Sequence, residues 1–161
     1  MPATDQGLEQ NDYLTLDQQL CFALAVASRS IISMYRPLLE PLGLTHPQYL
    51  VMVALWQAEP LSVREVSQLL QLEPPSVSPV LKRLQSAGLI KRQRDSADER
   101  SVRLTLTDQG RALREQAVSV PLAIVDRIGM SVQSLEHLRG TLNELTDRAQ
   151  AALREQSDGK D

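Results

Sequence analysis

The sequence predicts a mainly α-helical chain carrying one small antiparallel β-hairpin, an α+β arrangement, and three observations lead to it. Two short amphipathic helices follow one another within 61–88. Two alternating, basic segments come next, around the charged stretch DSADER. Apolar stripes at helical spacing run along both ends of the chain, more than a module of about 60 residues can bury alone.

The elements follow in order. Residues 1–13 are polar and acidic without periodicity, and a flexible tail is expected there. Thr15 and Gln18 have the T-x-x-Q spacing of a capping box, which would start a helix running to about Leu39. Its stripe is Leu16, Leu20, Leu24, Ala27, Ile31, Met34 and Leu38, yet Phe22, Val26 and Ile32 lie off that stripe. Two apolar faces on one helix call for a partner subunit. After Pro41-Leu42-Gly43, either Thr45 or His46 precedes a proline-started helix through Trp56, and Ala58-Glu59-Pro60 breaks it.

The first helix of the pair turns Val63, Val66, Leu69 and Leu70 inward. The second, reached through Glu73, Pro74 and Pro75, buries Val77, Val80, Leu81 and Leu84 and stops at Ala87-Gly88. Its outer face carries Ser76, Ser78, Lys82, Arg83 and Gln85. In the hairpin, 89–94 and 101–106 alternate, with Val102, Leu104 and Leu106 on one face and Arg103 and Thr105 on the other. Thr107 then caps a helical stretch broken near Pro121 and again at Gly129-Met130-Ser131. Ser131 or Ser134 opens a last helix striped by Leu135, Leu138, Leu142, Leu145, Ala149, Ala152 and Leu153, and 157–161 reads as a disordered tail. The predicted organisation is a winged helix-turn-helix at 46–107, with 14–45 and 108–156 forming a helical dimerisation region.

Charge distribution agrees. Within 62–106 there are eight Lys/Arg and five Asp/Glu, a net of +3, so the rest of a chain with formal charge −3 carries −6. A basic module in an acidic chain keeps an attraction for phosphates without binding polyanions indiscriminately. A helix about 10–12 Å across fits the DNA major groove, about 12 Å wide, and a hairpin tip arginine suits the minor groove. Two such modules in a dimer would meet an inverted-repeat operator with half-sites about 34–36 Å apart.

Other classes are disfavoured. There is no long apolar run, so no membrane partner is expected and a cytoplasmic location follows. One cysteine and two distant histidines make no metal motif, and no cofactor is expected. With five aromatic residues, single-strand binding by base stacking is not supported.

The segments PPSVSPVLKRL and DERSVRLTLT resemble the MarR (multiple-antibiotic-resistance regulator) family, and the resemblance extends over about 14–154. Through QLCFAL and YRPLLEPLGLTHPQYL the chain is similar to the one-cysteine, organic-hydroperoxide-sensing repressors of that family. The resemblance implies a homodimer that represses transcription until Cys21 is oxidised. It also implies that Ser76, Ser78, Pro79 and Lys82 face the groove, that Arg83 lies near the DNA backbone, and that Asp98 steadies Arg100 in the minor groove. Cys21 and Tyr35 stand 14 positions apart, about 21 Å of helical rise, so they can meet only across two crossing helices of a dimer. A phenol donating to the sulfur there would favour the nucleophilic thiolate. Two further tyrosines expected in such sensors are replaced by Ala25 and His46, and His46 is the remaining candidate donor, titrating near neutral pH.

Three function classes therefore stay open. The first is a redox-sensing repressor using Cys21, Tyr35 and His46. A second is a repressor of the same fold induced by a small aromatic or lipophilic ligand held by Tyr35, His46, Tyr49 and Trp56, with Cys21 a small packing residue. The third, a one-cysteine peroxidase, lacks a second thiol to resolve a sulfenic acid. A regulator, not an enzyme, is the expectation.

Overall fold

A computed structural model describes residues 14–95 and 102–158, and the chain divides into two compact units, Met1–Ala117 and Val118–Asp161. The tail 1–13 and the wing-tip residues Asp98 and Arg100 lie outside the described residues.

In the first unit α1 spans Leu20–Leu39. It is preceded by a 3-10 turn, Leu16–Gln18, rather than started by the expected capping box: the Gln18 N–H bonds the backbone carbonyl of Thr15 at 3.2 Å, and the Thr15 side chain caps no helix. A 3-10 bond reaches back three residues, so the carbonyl takes the donor that the hydroxyl would have held. Only Leu39 of α1 is buried, and Leu20, Phe22, Val26, Ile31 and Ile32 are exposed.

Helix α2, His46–Ala58, is the centre of this unit. Thr45, not His46, is its cap: Thr45 Oγ1 accepts the Gln48 N–H and Gln48 Oε1 accepts the Thr45 N–H at 2.8 Å. Tyr49, Val51, Met52, Ala54 and Leu55 bury it on most sides, as an apolar helix requires. Around it lie β1 (Leu61–Ser62), α3 (Val63–Leu70), α4 (Pro74–Ser86), β2 (Ile90–Arg94), β3 (Val102–Leu106) and α5 (Asp108–Ala117).

The hairpin gains a strand that its length concealed. Two residues, Leu61 and Ser62, pair antiparallel with Leu104 and Arg103, giving the order β1-β3-β2. Leu104 and Leu106 are buried as expected, whereas Val102, at the end of the ladder, is exposed. In α3 the inward stripe is Val63, Val66, Ser67 and Leu70 at helical spacing, and Leu69 falls off it, 58% exposed. Ser67 can be buried because its hydroxyl bonds the Val63 carbonyl at 2.8 Å. In α4, Val77, Leu81 and Leu84 are buried and Val80 half-buried.

Helix α5, grouped with the dimerisation region in the sequence reading, is hydrogen-bonded to this first unit. Thr107 Oγ1 accepts the Gly110 N–H and donates to the Gly88 carbonyl. The Trp56 indole donates to the Gly110 carbonyl at 2.9 Å, and Arg111 donates to both oxygens of Glu59, whose Oε2 also accepts the Leu106 N–H. Gly110 must be glycine, since a Cβ there would run into the Leu89 carbonyl.

The second unit holds α6 (Ser119–Ile128) and α7 (Val132–Asp158). The break expected near Pro121 falls earlier, at Val118, because proline fits the first turn of a helix, where its missing N–H has no partner to lose. Gly129 takes the left-handed conformation, and Ser131 Oγ accepts the Ser134 N–H to cap α7. Helix α7 continues through Asp158, two residues into the expected disordered tail, with Ser157 donating to the Leu153 carbonyl. Leu138, Leu142 and Leu153 of its apolar stripe are exposed. No helix among the described residues is long and apolar enough to cross a membrane.

Candidate nucleic-acid interface

The basic face is built on α4. Glu73 precedes the helix, Pro74 occupies the first position, and Gly88, in the left-handed conformation, ends the turn that follows it. Pro79 sits inside α4 with no N–H for the Pro75 carbonyl. The neighbouring Ser78 hydroxyl donates one turn back to the Pro74 carbonyl at 3.0 Å, which leaves its lone pairs as acceptors for an incoming donor. Pro75, Ser78, Pro79, Lys82 and Gln85 form one stripe, and with Arg92 of β2 they line a shallow concavity of about 700 Å³.

Of the residues expected to meet DNA, the structure thus brings Ser78, Pro79 and Lys82 together. Ser76 and Arg83 are exposed on α4 but outside that lining. Gln85, read on the outer face of the helix, and Arg92 join Ser78, Pro79 and Lys82 in the lining. Strand pairing carried the signal for Arg92: it stands opposite Leu104, on the face whose apolar residues are buried.

Arg103 behaves differently from its neighbours. Its guanidinium donates to Glu65 at 2.7 Å and Asp95 at 3.0 Å, and the Asp95 bond, followed by the Glu65 charge, raises its pKa further. Glu65 is held below the usual carboxylate value chiefly by the Ser62 backbone N–H, with Arg103 adding to it. Lys82, Arg83, Lys91, Arg92 and Arg94 make no ion pair among the described residues. Five cations without an ion pair among the described residues therefore lie on α4 and β2.

The candidate sensing residues fall into two places. Cys21 is exposed in the first turn of α1. Tyr35 lies near the other end of the same helix, about 21 Å along it, so the two do not meet within one protomer. Tyr35 instead packs edge-on against His46, ring centroids 4.9 Å apart, and tilts against Tyr49 at 5.8 Å. Burial lowers the His46 pKa from 6.5, which favours the neutral imidazole over the cationic donor. Burial raises both phenols, which stay protonated and able to donate. Trp56 does not join the cluster, being committed to Gly110. Among the described residues no group of His, Cys, Asp and Glu is placed to hold a metal.

A profile of the MarR family matches residues 44–102. The chain is 40% identical over 136 residues to the organic hydroperoxide resistance transcriptional regulator of Bacillus subtilis strain 168, covering 84% of this chain and 92% of that one. Among solved structures it is similar to reduced AbfR bound to DNA, a Staphylococcus epidermidis protein, at 30% identity and a TM-score of 0.68, over 83% of this chain and 94% of that one. It is also similar to the repressor CouR of Rhodococcus jostii RHA1 bound to a 23-mer duplex, at 26% identity and a TM-score of 0.75, over 86% and 99% of the two chains. CouR has also been solved with p-coumaroyl-CoA.

Proposed function

The chain belongs to the MarR family, and from that premise we propose that it is a homodimeric repressor of an inverted-repeat operator, released when an organic hydroperoxide oxidises Cys21. Family membership makes it a DNA-binding transcriptional regulator rather than an enzyme. The observation that carries the redox reading is the exposed Cys21 at the start of α1, in a chain 40% identical to a hydroperoxide resistance regulator. The exposed apolar faces of α1 and α7 supply the surface a second copy would cover.

In this reading the Cys21 thiolate attacks one oxygen of the hydroperoxide. The S–O bond forms as the O–O bond breaks, the alkoxide leaves and takes up a proton, and the products are a sulfenic acid and an alcohol. Tyr35 of the partner subunit donates its phenolic hydrogen bond to the sulfur, since Tyr35 of the same chain is out of reach. His46 acts as a neutral ring that packs Tyr35 in place. On the DNA side, Ser76, Ser78, Pro79 and Lys82 of α4 enter the major groove, Arg83 meets the backbone, and Arg100, steadied by Asp98, enters the minor groove.

The cluster of half-buried Tyr35 and His46 with buried Tyr49 supports a second reading, induction by a small aromatic or lipophilic ligand, with Cys21 not involved. Footprinting tests the shared part: protection of two half-sites about one helical turn apart supports the dimer, and protection of a single half-site contradicts it. Mass spectrometry after one equivalent of hydroperoxide separates the two signals, because an unmodified Cys21 leaves only the ligand reading.

A further inference from the structure

The two faces of the β2–β3 hairpin are electrically unlike, and strand register shows which residue belongs to which face. In an antiparallel ladder, directly opposed residues point to the same side. Ile90 faces Leu106 and Arg92 faces Leu104, so Arg92 shares the side on which Ile90, Leu104 and Leu106 are buried. Lys91 and Gln93 face Thr105 and Arg103 on the other side, where the Arg103 charge is taken up by Glu65 and Asp95.

Helix α4 packs against β2, and β2 is the edge strand of the sheet. The Arg92 stem thus emerges beside the outer stripe of α4, and its guanidinium has no carboxylate partner among the described residues. Lys82 and Gln85 border the same concavity of about 700 Å³ from the helix side. When α4 lies in a major groove, a phosphate strand borders the groove on either side of it. A strand on the hairpin side of α4 would pass Arg92, whose planar fork matches two phosphate oxygens.

We propose that Arg92 is a phosphate clamp: it grips the DNA strand bordering the groove that α4 occupies, setting the depth and register of the helix without reading a base. The clamp rests on the reading of α4 as the recognition helix. It adds a contact from the body of the sheet, independent of the wing tip.

The test measures binding of wild type, Arg92→Gln, Arg92→Lys, Lys91→Gln and Lys82→Ala over a salt series. Two probes are used: the duplex that wild type selects from a random pool, and an unrelated duplex. For Arg92→Gln the expected result is weaker binding to both by a similar factor, about tenfold per contact at 0.1 M salt, with the salt slope reduced by about 0.9 per phosphate released. Arg92→Lys should keep most of the slope, and Lys91→Gln, on the opposite face, should keep both slope and affinity. Three results would overturn the clamp: unchanged binding by Arg92→Gln, equal losses in Lys91→Gln and Arg92→Gln, or a loss confined to the selected duplex with the slope intact, which marks a base contact. Lys82→Ala reports on α4 separately. If it leaves the preference for the selected duplex intact, the α4 reading is in doubt, while the Arg92→Gln slope on unrelated DNA still decides for or against the clamp.

Discussion

Glu65 and Arg103 meet at 2.7 Å, and the same Glu65 oxygen accepts the backbone N–H of Ser62 at 2.6 Å. One carboxylate therefore closes the capping box of α3 and ties the first helix of the helix-turn-helix to β3. Arg103 also holds Asp95, just past the end of β2, so the base of the wing is braced against the body that carries α4.

This brace should respond to acid. The folded Glu65 pKa lies below its ordinary value of 4.5, so its contribution is present above that pH and fades as pH falls through the folded value. Glu65→Gln should lower the urea midpoint at pH 7, and the gap to wild type should shrink on acidification below about 4.5. A gap that stays constant across that range would separate Glu65 from the effect.

Leu81 is fully buried on the inner face of α4, so truncation there loosens α4 from its support. Leu81→Ala should cost about 2–5 kcal/mol in urea unfolding. A loss under about 1 kcal/mol would mean that this site collapses around the missing methyls or is not packed as described.

Much of this fold was legible because the signals are local. Pro74 at a helix start, Gly88 past its end and the 77, 81, 84 stripe each act within a turn or two, and the structure has them as expected. The readings that failed depend on partners distant in sequence or on a competing local bond. β1 is two residues long, too short for any alternation, and exists only through Leu104 and Arg103. Arg103 looked like one more cation until folding brought Glu65, 38 positions away, against it. Thr15 lost its capping role to a 3-10 bond from the same residue's carbonyl. At the candidate site, the stripe on α4 could be read from spacing, whereas the lowered His46 pKa follows from burial and the bond from Trp56 to Gly110 from the placing of α5.

Arg100, in the charged tip of the predicted hairpin, is expected to contact DNA in the minor groove. Arg100→Ala should cost about 1–3 kcal/mol of operator affinity, measured by fluorescence anisotropy at fixed salt. Unchanged affinity would remove Arg100 from the interface.

Tyr35 is expected to act on Cys21 of the partner subunit through its hydroxyl alone. Tyr35→Phe keeps the ring against His46 and Tyr49, so reduced-state operator binding should be unchanged while Cys21 oxidation by an organic hydroperoxide slows several-fold. Equal oxidation rates, followed by trapping the sulfenic acid, would exclude the phenol.

Operator release tests the central claim most directly, comparing wild type with Cys21→Ser on the DNA upstream of the gene. Both proteins should bind when reduced. With one to a few equivalents of an organic hydroperoxide, wild type should let go and recover on addition of a thiol reductant, while Cys21→Ser stays bound. Release of both proteins, or of neither, would contradict a switch at Cys21.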